Sequence, residues 1–235
     1  MMRPFPGLEH LFKFFDPFMK SVMRANIEFD GDCWLLTRAV SRPDAPIRAT
    51  WGMGGSRPTD VIWTTMGDPL FVHQRVIDVL LDNRFTGWST YPAVVFDKSG
   101  LEYTSYHGLA ITGRCGRKNL SASRIELIEY PGGWFPHFVG HYFDETSWDG
   151  SDLFMEEGDE TGLGNSTKFM TEPVVDALQR AKVKNLGFTS LAEVSVITST
   201  YETAASSKSL PPDYRDRVHA AYTAAGVPRP RKWQT

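Results

Sequence analysis

Residues 71–81 read FVHQRVIDVLL, and residues 169–179 read FMTEPVVDALQ. Five positions match at an offset of 98 residues, and the pairs are Phe71 with Phe169, Val76 with Val174, Ile77 with Val175, Asp78 with Asp176 and Leu80 with Leu178. Apolar residues three and four positions apart predict an amphipathic helix in each stretch. A similarity that recurs at a fixed offset predicts a duplicated structural unit.

The residues after each helix extend the match. With a slip of two positions, Gly87 aligns with Gly187, and a glycine after a helix favours a left-handed turn. Apolar runs at 93–96 and 194–197 then predict a closing strand in each copy. We therefore predict an α+β fold in which two pseudo-repeated strand–helix–turn–strand units, at about 61–97 and 160–198, pack as one compact body.

Three regions are predicted around this repeat. An N-terminal helical segment at 1–30 is indicated by apolar residues at steps of three and four between 8 and 24, with Pro17 as a kink. The α+β domain covers 31–200. A C-terminal helix, ended by Gly226 and Pro228, and a basic tail make up 201–235.

Further strands are predicted between and before the copies. They are expected at 33–40, at 101–112 and at 123–130, and the last of these alternates polar and apolar residues, which is typical of a half-exposed strand.

Composition and charge narrow the classes of function. The chain of 235 residues has a net charge of −3, from 28 acidic and 25 basic residues, so a nucleic-acid binder is not indicated. Cys33 and Cys115 are too few for a disulfide framework or a zinc site. Since no run of about 18 apolar residues and no signal peptide occurs, we expect a cytoplasmic protein that needs no membrane, no metal and no cofactor.

One segment combines strong charge with aromatic residues. Between 144 and 160 there are eight acidic residues and no Lys or Arg, namely Asp144, Glu145, Asp149, Asp152, Glu156, Glu157, Asp159 and Glu160. Trp148 lies among them. Such a run is often only a solvated loop, but an anionic patch with an aromatic anchor also suits contact with a cationic protein surface. These nine residues are the predicted partner-binding residues.

Signatures of catalysis are weak. His137 and His141 are four residues apart, a spacing that suits a metal on a helix, but the glycines and proline nearby disfavour a helix there. No catalytic residues are assigned. The alternative hypothesis is a small hydrolase or transferase with a site near His107, His137 and His141.

Residues 106–116 (YHGLAITGRCG), 147–154 (SWDGSDLF) and 169–196 together resemble bacterial immunity proteins of polymorphic-toxin systems. Two groups share the resemblance: a large immunity family long known as a domain of unknown function, and the myxobacterial double-CxxCG paralogues. The similarity covers about 58–197. Both CxxCG motifs are absent here, and only Cys115-Gly116 corresponds to part of one, so metal binding is not carried over.

The resemblance implies that the protein binds and neutralises a cognate toxin and has no catalytic residues of its own. From the acidic segment we expect a basic toxin domain, such as a nuclease, as the partner, and a monomer or weak homodimer in isolation. A third hypothesis is an interaction module unrelated to toxins.

Overall fold

A computed structural model describes residues 5–158, 167–202 and 210–229. Helices and strands are both present, which confirms the α+β class. The strands are β1 (Leu11–Phe15), β2 (Arg24–Glu28), β3 (Ile47–Met53), β4 (Val61–Thr64), β5 (Leu70–His73), β6 (Trp88–Phe96), β7 (Glu102–Tyr103), β8 (Tyr106–Ile111), β9 (Gly113–Cys115), β10 (Arg124–Tyr130), β11 (Gly133–Val139), β12 (Leu153–Glu156), β13 (Lys168–Thr171), β14 (Gly187–Ser190) and β15 (Ser195–Ile197). The helices are α1 (Cys33–Thr37), α2 (Gln74–Asp82), α3 (Glu172–Arg180) and α4 (Tyr214–Ala225).

Six strands close into a barrel in the order β3-β2-β4-β5-β8-β6, because β6 also pairs with β3. Alternate residues of these strands form one apolar core that includes Ile62, Phe71 and Val95. The ring of Tyr91 lies directly against Gly108 on the adjacent strand, where a Cβ atom would be 1.9 Å from Tyr91 Cε2. Only glycine leaves room for this aromatic ring inside the barrel.

Two further sheets complete the fold. An open five-stranded sheet has the order β14-β1-β13-β12-β9, and a three-stranded sheet has the order β10-β11-β15. Helix α4 packs against the three-stranded sheet, where the Phe138 and Tyr214 rings lie 5.6 Å apart and the Tyr222 hydroxyl donates to the Trp134 carbonyl at 2.8 Å. The predicted C-terminal helix is thereby confirmed.

The two amphipathic helices share one core. Helix α2 buries Val76 and Leu80, and α3 buries Val174 and Leu178, in a single cluster with strands of the barrel and of the five-stranded sheet. Burial of this apolar surface joins the two sheets, since each side chain of this size contributes about 1.5–3 kcal/mol when it leaves water.

The N-terminal helix prediction is wrong. Residues 11–15 form β1, which lies between β13 and β14, with Leu11 opposite Thr171 and Phe12 opposite Ser190. Leu11 and Phe14 are buried and three residues apart, so the helical spacing arose from a strand. Long-range strand pairing decided the conformation over the local pattern.

The prediction of a strand at 33–40 is also wrong. Helix α1 begins after Asp32, whose Oδ1 accepts the N–H of Trp34 at 2.8 Å. An N-cap aspartate of this kind was a local signal for a helix. The predicted strands within 101–112 and 123–130 are confirmed as β7, β8 and β10.

Both helices of the repeat are flanked by strands, but the arrangement differs from two equivalent packed units. The first copy lies in the closed barrel and the second in the open sheet. The predicted alignment of Gly87 with Gly187, which needed a shift of two positions, is wrong. The residue that matches Gly87 (φ 83°) in conformation is Asn185 (φ 65°), which again lies 98 residues further along the chain. The predicted closing strand at 194–197 contributes β15 to the three-stranded sheet instead.

Candidate functional site

Only some of the predicted contact residues in the acidic segment 144–160 are exposed to solvent. Asp144, Glu145, Asp149 and Glu157 are exposed, whereas Trp148, Asp152 and Glu156 are buried. Asp159 and Glu160 lie outside the described residues. The partner-binding prediction therefore reduces to the four exposed carboxylates.

The buried members of the segment have internal contacts. The Trp148 ring packs 5.3 Å from the Phe154 ring and 5.9 Å from the Phe5 ring, in the core beneath the five-stranded sheet. Asp152 is fully buried and accepts hydrogen bonds from the N–H and hydroxyl of Thr86 at 2.8 and 2.9 Å. As partner contacts, these side chains were predicted wrongly, since apolar packing and hydrogen bonding draw them inside.

Two of the exposed carboxylates also stabilise the local backbone. Asp144 accepts the N–H of Thr146 at 3.0 Å and the Thr146 hydroxyl, and these bonds lower the pKa of Asp144. Asp149 accepts the N–H of Arg114 at 2.8 Å. All four carboxylates remain at the surface, and we call these four residues together the acidic face.

Glu156 belongs to a buried polar cluster that the sequence did not predict. Its Oε1 lies 2.5 Å from Nε2 of His141, and both side chains are less than a tenth exposed. Burial lowers the pKa of His141, and Glu156 opposes that effect. Burial also lowers the pKa of the nearby Lys118 to about 8, again opposed by Glu156. The two partners are 15 residues apart on different elements, so no local spacing marks them.

The three histidines of the alternative hypothesis have separate partners. His107 contacts Gln74 Oε1 at 2.7 Å in the barrel, and His137 contacts Ser195 Oγ at 2.8 Å in the three-stranded sheet. His141 contacts Glu156. Each histidine therefore has its own partner on a different element. Within the described ranges, no group of three His, Cys, Asp or Glu side chains is arranged to hold a metal.

Four exposed apolar side chains, which the sequence did not predict, lie around strand β2 of the barrel. They are Phe18, Met19, Met53 and Met66, with exposures of 72%, 43%, 51% and 90%. We call these four residues the apolar rim.

Backbone and side-chain contacts hold the rim's three loops against β2 and β3. Met53 pairs with Arg24 at the β2–β3 end, and the Arg24 guanidinium lies 4.0 Å from the centre of the Phe18 ring. Gly54 packs against the carbonyl of Val22, where a Cβ would lie 2.0 Å from that oxygen. The loop of Met66 lies beside β2, because the Thr65 hydroxyl donates to Asn26 Oδ1 at 2.9 Å.

A pocket of about 480 Å³ opens beside the rim. It lies where the parallel pairing of β2 and β4 stops after Ala25 and Thr64. Its lining comes from β2, from the start of α1 and from the β4–β5 turn, and consists of Ala25, Asn26, Ile27, Cys33, Trp34, Thr64, Thr65, Met66 and Asp68. No histidine contributes to it.

Comparison with known proteins gives no identity. No protein-family model matches the chain, and no curated protein shows significant similarity to it. Among the described residues, none of the helices has the length and apolar character needed to cross a membrane.

Proposed function

We propose that this protein acts by binding another protein, as an immunity protein that neutralises a cognate toxin. The observation that carries the proposal is the apolar rim. Phe18 and Met66 are largely exposed and lie with two other large apolar residues around strand β2. Contiguous exposed apolar surface is typical of interaction sites, and methionine side chains adapt readily to a partner.

The nature of the partner rests on the resemblance and on charge. The similarity of residues 106–116, 147–154 and 169–196 to immunity proteins supports a toxin domain as the ligand. The acidic face and the net charge of −3 favour a basic partner, which they would attract by electrostatic steering. Binding would block the toxin by covering its active site or a neighbouring surface, without a catalytic step in this chain.

Internal duplication would account for the scaffold. We infer that the segments around α2 and α3 are pseudo-repeated units of one body. Two matching contacts support this inference: Asp60 accepts the N–H of Lys184 at 2.9 Å, and Asp152 accepts the N–H of Thr86 at 2.8 Å. Each aspartate precedes the hairpin of one copy and binds the turn after the helix of the other copy.

Binding to the product of the gene directly upstream tests the function. We expect a one-to-one complex by co-purification and calorimetry. The double variant Phe18→Ser/Met66→Ser should weaken it by about 30-fold, since central apolar contacts often contribute about 2 kcal/mol. The matched control is Leu81→Ser/Leu101→Ser, which changes two residues that are each 57% exposed but outside the rim.

The acidic face has its own variant. Glu145→Lys/Glu157→Lys should slow association, and more so at low salt, if these side chains steer a basic partner. Absence of any complex with the upstream product would contradict the proposed function. A complex that is insensitive to the rim variant would contradict the role of the rim.

A further inference from the structure

We propose that Phe18 anchors the protein partner, and that a buried ion pair between Asp16 and Arg24 holds its ring in place before binding. This inference rests on the proposed function and names the residue of the apolar rim that enters the partner. The Phe18 side chain is 72% exposed. Since interface hot spots fill well-packed, desolvated pockets, the partner surface that it fits is an apolar pocket for one aromatic ring.

The backbone conformation of Phe18 is unusual for its residue type. Its φ is 53°, in the left-handed region that large side chains seldom adopt, because the Cβ atom crowds the following carbonyl oxygen. Within the described ranges, the other residues besides glycine with a positive φ are Ala39, Arg84, Lys182 and Asn185. The first three follow helices, where this conformation is a normal ending, and asparagine tolerates it. Phe18 lies at no helix end, and strain of this kind is typical of functional sites.

Two contacts hold Phe18 in this conformation. Its N–H donates to Asp16 Oδ1 at 2.8 Å. The other oxygen of Asp16 lies 2.8 Å from a guanidinium nitrogen of Arg24, and both side chains of this ion pair are nearly buried. The Arg24 guanidinium in turn lies 4.0 Å from the centre of the Phe18 ring. Asp16 therefore fixes the backbone of Phe18 directly, and it fixes the ring through Arg24.

The ion pair is itself attached to the barrel. Arg24 begins β2 and pairs with both β3 and β4. The loop between Phe18 and β2 packs closely on the loop after β3, where a Cβ on Gly55 would lie 2.2 Å from the Ser21 carbonyl oxygen. A side chain that is ordered before binding loses less entropy when the complex forms. Asp16 and Arg24 are therefore positioning residues for the Phe18 ring.

The held conformation can be tested on the full chain without a partner. Phe18→Gly and Phe18→Ala both remove the ring, but only glycine adopts a φ of 53° without strain. We expect the equilibrium constant for unfolding, from urea titration, to be about fivefold smaller for Phe18→Gly than for Phe18→Ala. Met19 is the matched control, because it is the next exposed residue of the rim and does not have a positive φ. There the alanine variant should be the more stable, since glycine gains more entropy in the unfolded chain.

Binding to the product of the upstream gene tests the role of the ion pair. Arg24→Lys keeps a cation opposite Asp16 but removes the planar group that stacks on the Phe18 ring. We expect it to raise the dissociation constant of the complex about fivefold. In the Phe18→Ala background the same substitution should have no effect, because Arg24 acts through the ring. Arg48→Lys is the control and should bind as the wild type does, since its guanidinium lies 3.9 Å from the centre of the Phe96 ring, outside the rim.

The two experiments separate this inference from the proposed function. If the complex forms and Arg24→Lys binds as tightly as the wild type, or loses the same affinity with and without the Phe18 ring, the positioning role is wrong and protein binding stands. If alanine is the more stable choice at position 18 as well as at 19, the held conformation is wrong, whatever the partner. If glycine is the more stable choice at position 18 and no complex forms, the proposed function and the anchor role are wrong, and the held conformation of Phe18 stands.

Discussion

The regions around α2 and α3 share one arrangement of strands but differ in the side chains at the ends of those strands. In each, a third strand lies between the strands that flank the helix: β8 lies between β5 and β6, and β1 lies between β13 and β14. In each, a further parallel strand follows the hairpin, β2 beside β4 and β9 beside β12. The strand arrangements are alike, whereas the residues at the ends of the parallel strands differ.

The difference is clearest where the parallel strands end. Trp63 lies opposite Leu70, and Met155 lies opposite Lys168, so Thr64 and Glu156 occupy matching positions. Thr64 pairs with Ala25 and borders the pocket.

In the region around α3, Glu156 pairs with Cys115 and contacts the buried His141. The region around α2 therefore keeps a cavity at the place where the region around α3 has an internal polar pair. Under the proposed function, the open region would supply the binding surface, and the filled region would contribute stability.

The largest expected effect tests the turn after each helix. Gly87→Ala should cost about 3 kcal/mol or more, because φ is 83° and a Cβ would lie 1.9 Å from the Leu153 carbonyl oxygen. Asn185→Gly should cost about 1–2 kcal/mol, since it removes only the bond from Asn185 Nδ2 to the Val61 carbonyl, 2.8 Å long. Urea unfolding monitored by tryptophan fluorescence measures both free energies. Equal costs would show that the two turns are not conformational counterparts.

A smaller effect is expected from the two aspartates that bind these turns. Asp152→Ala should cost about 2 kcal/mol, because the fully buried carboxylate accepts two hydrogen bonds from Thr86. Asp60→Ala should cost about 1 kcal/mol, because Asp60 is 12% exposed and its ion pair with Arg75 reaches solvent. The same unfolding experiment measures both variants, with Asp78→Ala on the exposed face of α2 as the control. A larger loss for Asp60 than for Asp152 would reverse this order.

Local features were predictable from the sequence, and contacts between distant segments were not. The steps of three and four in 71–81 and 169–179 predicted α2 and α3, and the alternation in 123–130 predicted β10. The same apolar spacing in 8–24 led to a helix, because nothing local shows that β1 pairs with strands more than 150 residues away.

The candidate sites follow the same division. Acidic side chains suggested a solvent-facing patch, but the burial of Asp152 depends on Thr86, 66 residues away. The apolar rim joins three loops through tertiary contacts, so its residues do not form a pattern in the chain. Asp32 is a typical N-cap residue, and it is the local signal that indicates helix α1 and with it one wall of the pocket.

The smallest expected effect concerns the pH dependence of stability and the buried pair of His141 and Glu156. Burial lowers the pKa of His141 below the ordinary value, while Glu156 opposes this and Lys118 and Lys13 reinforce it. Below about pH 6.5 the unfolded chain therefore binds a proton that the folded chain does not take up, so stability falls as the pH falls, by at most about 1.4 kcal/mol per pH unit.

Urea midpoints between pH 7.5 and 5.5 should decrease for the wild type and decrease less for His141→Asn. His137→Asn is the control, because burial also lowers the pKa of His137, which lies in the three-stranded sheet. If His141→Asn keeps the full pH dependence and His137→Asn loses it, the sensitivity belongs to that sheet. The difference between the region around α3 and the region around α2 would then rest on packing alone. Protonation of the buried pair of His141 and Glu156 would contribute nothing to it.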